Sequence, residues 1–195
     1  MADEAALKKP IEDGQHFTYA DYKNWNPDET GCCELIYGVP YAMAGANTRH
    51  QTMLGELFRQ FANFLAGKPC RVLPAPYDVR LLYEEDESDD TVVQPDIIVV
   101  CDKAKLGKEG CRGAPDFVVE ILSPSNTAAE MQRKFKLYRQ AGVREYWVLD
   151  PESGTLLTHL FEEGRILSRF YGAGETAPVE TIPGLEIVLE PVFAE

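Results

Sequence analysis

The stretch Pro115-Asp116-Phe117-Val118-Val119-Glu120-Ile121-Leu122-Ser123-Pro124-Ser125 decides how this chain is read. Its centre is apolar except for one residue, and turn formers bracket it, which is the pattern of a strand buried in a sheet. Glu120 interrupts that pattern. An ionised carboxylate in a strand covered on both faces is costly unless it is paired, protonated or bound to a metal. The strand therefore calls for a group that compensates Glu120, the alternative being a strand end on an open face.

Downstream, Thr127-x-x-Glu130 fits a capping box and Gly142 a helix stop, so a helix is expected from about Ala128 to Ala141. Met131, Phe135, Tyr138 and Ala141 share one face of it. Lys134, three residues after Met131 and four before Tyr138, falls on the border of that face. A lysine aimed at the sheet needs an anion, and Glu120 or a bound phosphate would serve. The bland reading is a side chain whose stem packs while its head reaches water. Val143–Asp150 follows as a buried strand closed by Pro151. Upstream, Val92–Cys101 reads as a strand, apolar after Pro95, with Asp96 at its start as an acid or as a plain turn residue.

Further out, residues 33–43 (CELIYGVPYAM) read as a hairpin around Gly38. A helix is expected over His50–Leu65, where Met53, Leu57, Phe61 and Leu65 recur at helical spacing, with Gly67 ending it. Residues 70–83 read as a strand broken by Pro74 and Pro76. Glu84–Asp90, six carboxylates in seven residues, reads as a solvated hairpin tip. Lys103–Gly113 reads as a glycine-rich loop, and no helix follows it to build a phosphate cradle. Residues 155–161 and 165–171 form a hairpin around Glu163-Gly164, and an alternating apolar run ends the tail near Leu185–Leu189. Strands around core helices imply an α/β class with a mixed sheet. The expected organisation is one domain over residues 1–195, with 1–15 a flexible N-terminal tail and Asn24-Trp25-Asn26-Pro27 a loop.

Composition agrees. The chain has 195 residues, 45% hydrophobic and 26% charged, as in ordinary globular proteins. No apolar run approaches the ~20 residues of a membrane helix, and MADEAALKKP is not a signal sequence. The five cysteines (Cys32, Cys33, Cys70, Cys101, Cys111) are read as reduced thiols of a cytoplasmic protein, with no zinc-ligand spacing. A net charge of −13 argues against a general nucleic-acid coat. Residues 103–144 are nevertheless net +5 and could face an anion. There is no GxSxG motif, and the three histidines (His16, His50, His159) are scattered. His50 reads first as a helix-start residue and only second as lining a site. Tyr146 and Trp147 read as core aromatics rather than base-stacking platforms.

Three segments taken together are more specific than any one of them: Val-Gln-Pro95-Asp96-Ile-Ile-Val-Val, the Pro115–Ser125 stretch, and Lys134-x3-Tyr138-x2-Ala141-Gly142-Val143-x2-Tyr146-Trp147-x2-Asp150-Pro151. In this order, with Glu34-Leu35-Ile36-x-Gly38 and His50-Gln51 before them, they resemble the bacterial "putative restriction endonuclease" family of the restriction-endonuclease-like, PD-(D/E)XK superfamily, over about residues 15–190. The resemblance implies a mixed sheet flanked by helices, with extra N-terminal and C-terminal β-hairpins. It places the family's proline-aspartate position on Asp96 and its acid on Glu120. The usual lysine position, two residues beyond the acid, is Leu122, so the lysine looks migrated to Lys134. An additional acid is matched by Glu34 or, second, by Glu56. Asp96, Glu120, the Ile121 carbonyl and Glu34 would then hold Mg²⁺ or Mn²⁺. Lys134 would orient the attacking water or stabilise the phosphorane, and a DNA phosphodiester would be hydrolysed. Enzymes of this kind often cut as homodimers. The alternatives are a catalytically silent nucleic-acid-binding or protein-interaction module on the same fold, or a nuclease acting on RNA or branched DNA.

Overall fold

A computed structural model describes residues 14–25, 32–43 and 45–194. Residues 1–13 of the expected tail and Asn26-Pro27 of the expected loop lie outside the described residues. In chain order the elements are α1 (Tyr19–Tyr22), β1 (Cys33–Ile36), β2 (Val39–Ala42), α2 (Thr48–Leu65), β3 (Arg71–Pro74), β4 (Val79–Arg80), β5 (Val92–Val93), β6 (Ile97–Val100), a 3-10 turn (Lys103–Lys105), β7 (Leu106–Gly107), β8 (Gly110–Arg112), β9 (Phe117–Ile121), α3 (Ala128–Ala141), β10 (Glu145–Asp150), β11 (Thr155–Glu162), β12 (Arg165–Gly172), β13 (Thr176–Pro178), β14 (Glu186–Val188) and α4 (Glu190–Phe193).

The main sheet has the order β12-β11-β10-β9-β6-β3. It is mixed, because β9 and β10 run parallel while the other pairs are antiparallel. A parallel pair needs a crossover, and α3 supplies it. Thr127 caps the start of α3 by accepting from the Glu130 N–H, and Gly142 ends it at φ 93°. The Glu130 side chain turns to Asn126 rather than back to the cap, so half of the capping box forms.

Every residue of β6 and β9 is buried, which explains their nearly continuous apolar sequences. One face of the sheet (Ile97, Val99, Phe117, Val119, Trp147, Leu149) packs on Met53, Leu57, Phe61 and Leu65 of α2 and on the C-terminal residues Ile187, Val192 and Phe193. The opposite face (Ile98, Val100, Val118, Tyr146) packs on Leu137 and Tyr138 of α3 and on Ile36, Val79, Val93 and Cys111 of a second sheet, ordered β2-β1-β5-β4-β8-β7.

Several expectations change. Val92–Cys101 is not one strand: β5 belongs to the second sheet and β6 to the main one, and Gln94-Pro95-Asp96 crosses between them. The break falls at Pro95, which cannot donate to a ladder. Residues 103–113 form the β7–β8 hairpin rather than a loop. The acidic run is not wholly solvated, since Asp89 is buried against Arg80, whose guanidinium lies 3.7 Å from the Tyr19 ring. Nor are all the thiols free. Cys70 and Cys101 continue the β3–β6 register beyond Arg71 and Val100, with Cα atoms 3.9 Å apart, and are joined by a disulfide. That pairing across 31 residues is set by long-range register and has no local spacing signal. Cys32, Cys33 and Cys111 are free.

Phe61 is fully buried against Phe117 and Trp147, with ring centroids 5.1 and 6.4 Å away. Replacing Phe61 by Ala should cost about 3–5 kcal/mol, read as an earlier urea midpoint with an unchanged m-value.

Candidate active site

The site begins with register. In the antiparallel β6–β9 ladder Ile97 faces Val119. That is the last pair of the ladder: the chain bends at Asp96 just before Ile97, and Glu120 follows Val119 on β9, so the two acids meet at the same end of the sheet. Like charges this close repel, and the Asp96 charge is one of those that raise Glu120. Asp96 is fixed by its Oδ2, which accepts from the Ile121 N–H at 2.6 Å. Glu120 is fixed by its Oε1, which accepts from Lys134 Nζ at 3.0 Å and from the Tyr138 hydroxyl at 2.5 Å. No described residue donates to the other Glu120 oxygen.

Lys134 is 7% exposed and sits at the centre of the buried face of α3, with Leu137 and Tyr138. It neither borders that face nor snorkels to water. Its ammonium also meets Glu34 of β1, with contacts of 3.2 Å to Oε1 and 3.1 Å to Oε2. Glu34 in turn accepts from the Gln94 main-chain N–H at 3.0 Å. Glu56, the second candidate for the additional acid, pairs instead with Arg59 on its own helix, away from this group. Ile121 closes the arrangement, with its N–H on Asp96 and its backbone also facing the His50 ring.

Burial raises the Glu120 carboxyl to about 7; Lys134 opposes the rise, while the charges of Glu34 and Asp96 add to it. Burial alone would lower the Lys134 ammonium, but Glu120 and Glu34 overcome it and hold it protonated well above the usual lysine range. Three carboxyl groups thus share a water-poor site with one ammonium, and negative charge is in surplus once the pH passes the raised Glu120 value.

That surplus and the oxygen donors suit a hard divalent cation, which takes one or two carboxylates and keeps several waters. Asp96 Oδ1, the free Glu120 oxygen and the Ile121 carbonyl are the donors at hand. Among the described residues no three His, Cys, Asp or Glu side chains converge on one point in this arrangement; the acids are knit to Lys134, Tyr138 and His50 instead.

Sequence reasoning undervalued His50 and missed two partners. His50 Nε2 lies 3.3 Å from Asp96 Oδ1, and the ring is buried. In the sequence Tyr138 counts only as part of the apolar face of α3, although its place four residues after Lys134 is the available signal. Gln94 acts through its backbone, which no side-chain pattern reveals. Tyr146 and Trp147 are core residues as expected, Trp147 Nε1 donating to the buried Glu145 at 2.7 Å. His16 and His159 stay apart, bonded to Asp90 and Ser168. Of the basic segment, Lys134 enters the site, while others go elsewhere: Arg144 pairs with Asp116, Lys105 donates to the Ala114 carbonyl, and Arg112 lies 5.5 Å from the Tyr83 ring. Two surface concavities lie away from the acids, beside β11–β12 and between α2 and β14.

The comparisons agree with this architecture. Residues 19–190 match the Uma2 family model, described as a putative restriction endonuclease, and the chain belongs to that family. It is 25% identical over 175 residues to an uncharacterised protein of Synechocystis, covering 89% of each chain. Its fold is shared with the crystal structure of a putative nuclease from Anabaena variabilis, at a TM-score of 0.71 and 16% identity, over 91% of this chain and 97% of that one. The fold is therefore restriction-endonuclease-like. No helix among the described residues is long and apolar enough to cross a membrane.

The buried charges make two measurable demands. Replacing Lys134 by Met leaves two buried acids without their cation and should cost about 3–5 kcal/mol near pH 8. The sign follows from Glu120. A carboxyl whose folded pKa is raised contributes stability fully below its unfolded value, near 4.5, and loses it as the pH climbs through about 7. Urea titrations at pH 5 and pH 8 should find Lys134→Met closer to wild type at pH 5. Glu120→Gln should remove this component of the wild-type decline.

Proposed function

We propose that this protein is a divalent-metal-dependent nuclease that hydrolyses DNA phosphodiester bonds at the Asp96, Glu120 and Lys134 group. The observation that carries the reading is the gathering of Asp96 and Glu120 at one end of the β6–β9 pair beside a single buried ammonium. The fold gains nothing in stability from two neighbouring acids, and the pair leaves negative charge that a substrate-side cation would neutralise. Membership of a family described as a putative restriction endonuclease supports the same class of chemistry.

In this reading Asp96 and Glu120 are the direct ligands, with the Ile121 carbonyl beside them. The bound cation supplies Lewis-acid polarisation of the scissile phosphate and lowers the pKa of its water. Both Glu34 oxygens face Lys134, which suits an outer role: holding that ammonium and meeting the cation only through water. Because Lys134 is kept charged, it donates hydrogen bonds to the attacking water or to the phosphate oxygens and stabilises the charge that develops there. It does not take up a proton.

The test is nicking of supercoiled plasmid with Mg²⁺ or Mn²⁺, alongside single-stranded RNA and a branched DNA. Asp96→Asn and Glu120→Gln should each lower the rate by about 10²-fold or more while keeping the far-ultraviolet dichroism. Chelation should abolish activity and added metal restore it, and Glu56→Gln should cut like wild type. Cleavage by Asp96→Asn at the wild-type rate sinks the assignment. A wild-type protein that cuts none of these substrates with metal present favours the silent-module alternative.

A further inference from the structure

The row of the main sheet that holds Glu120 continues past the acid. Glu120 stands beside Val148 of β10, Val148 beside Leu157 of β11, and Leu157 beside Phe170 of β12. Neighbours in register point to the same side of a sheet, so all four side chains share the face on which Lys134 and Tyr138 meet Glu120. The row opens as it leaves the acid. Glu120 is buried, Val148 and Leu157 are partly exposed, and Phe170 is 73% exposed. Among the described residues the next most exposed large apolar side chain, Val39, reaches 46%.

Packing does not account for that ring. β12 is the edge strand of the sheet, and proteins protect exposed edges with charged and polar side chains. β12 does so at Arg165, Ser168 and Arg169, and departs from it at the position in register with the acid. On the same face Phe170 is flanked along the strand by Ser168 and Gly172, so the ring stands alone in polar surroundings. One such ring offers roughly 200 Å², whereas a stable protein contact takes about 800 Å² from each partner. Pairing β12 with a copy of itself would also gather Arg165 and Arg169 from both chains, with no acid on either strand. A lone flat aromatic face fits another flat ring instead. Three strand spacings of about 4.8 Å put it ~14 Å from Glu120, which is about four nucleotides along a stacked strand and fewer along an extended one.

We propose that Phe170 stacks on an unpaired base of the strand held at Glu120, so that the protein takes nucleic acid with a single-stranded segment beside the scissile phosphate in preference to intact duplex. This role rests on the nuclease reading above. In a duplex the faces of the bases are covered by one another, and the ring has nothing to stack on. An unpaired base offers its face whatever its identity. Val148 and Leu157 form an apolar floor between ring and acid. Phe170 supplies affinity and register, and takes no part in the chemistry.

The probe is a labelled oligothymidylate of about a dozen nucleotides, with a duplex of equal length beside it, and metal is chelated so that nothing is cut. Fluorescence anisotropy on the full chain should show tighter binding of the single strand. Phe170→Ala should weaken the single strand by about 10-fold or more, with duplex binding much less affected. Because the ring is exposed, the thermal midpoint should stay where it is. Phe170→Trp should bind the single strand as tightly as wild type, and its added indole emission should be quenched on binding. An unchanged affinity in Phe170→Ala, or an equal loss for single strand and duplex, overturns the platform. So does a wild-type dimer that Phe170→Ala converts to monomer in sedimentation, which would assign the ring to a second copy of the chain. A wild type that nicks plasmid yet binds the single strand no better than duplex overturns the platform and leaves the nuclease standing. Selective loss of single-strand binding in Phe170→Ala, in a protein that cuts nothing with metal present, supports the platform and overturns the nuclease.

Discussion

The ammonium of Lys134 is the contact on which the rest of the structure turns. It joins β1, α3 and β9, elements up to 100 residues apart in sequence, by placing one positive charge between Glu34 and Glu120. Without it the two carboxylates would face each other across the interface between the sheets with no water to screen them. With it, α3 is held at one rotation over the main sheet, and the N-terminal hairpin is drawn onto that helix. Tyr37 bonded to Gln140 and Arg133 lying 3.8 Å from the Tyr41 ring extend the same contact. The ion cluster is therefore part of the packing as well as the chemical centre, and the energetic demand of burying it is met by a fold that closes on both sides of it.

Local signals carried some elements well. The β9 strand, the α3 helix with its Thr127 cap and Gly142 stop, and the β11–β12 hairpin were legible because each depends on patterns within ten or twenty residues. Resemblance to the family pointed to Asp96, Glu120 and Lys134, and the structure brings the three together with Glu34. What could not be read was any feature fixed by distant register. The meeting of Asp96 and Glu120, the disulfide between Cys70 and Cys101, and the split of Val92–Cys101 between two sheets all follow from which strand lies beside which. The burial of Lys134 is of the same kind. Its spacing places it on the edge of an apolar stripe, and only the two acids arriving from other elements make a central position tolerable. His50 reads as a helix opener because an isolated histidine on an apolar face carries no local sign of what lies opposite.

The crossing segment Gln94-Pro95-Asp96 leaves the second sheet at Val93 and enters the main sheet at Ile97. In that span its first residue binds Glu34 through the main chain and its last binds Ile121 through the side chain. Side chains alternate along a strand, so one residue added or removed here would turn Asp96 to the wrong face or slide it past Glu120. Ile97 and Val99, which pack on the α2 side, would then exchange places with Ile98 and Val100. Length variation among related chains is therefore expected in the acidic connection before Thr91 or at the Gly164 turn, and this three-residue bridge should keep its length even where its residues change.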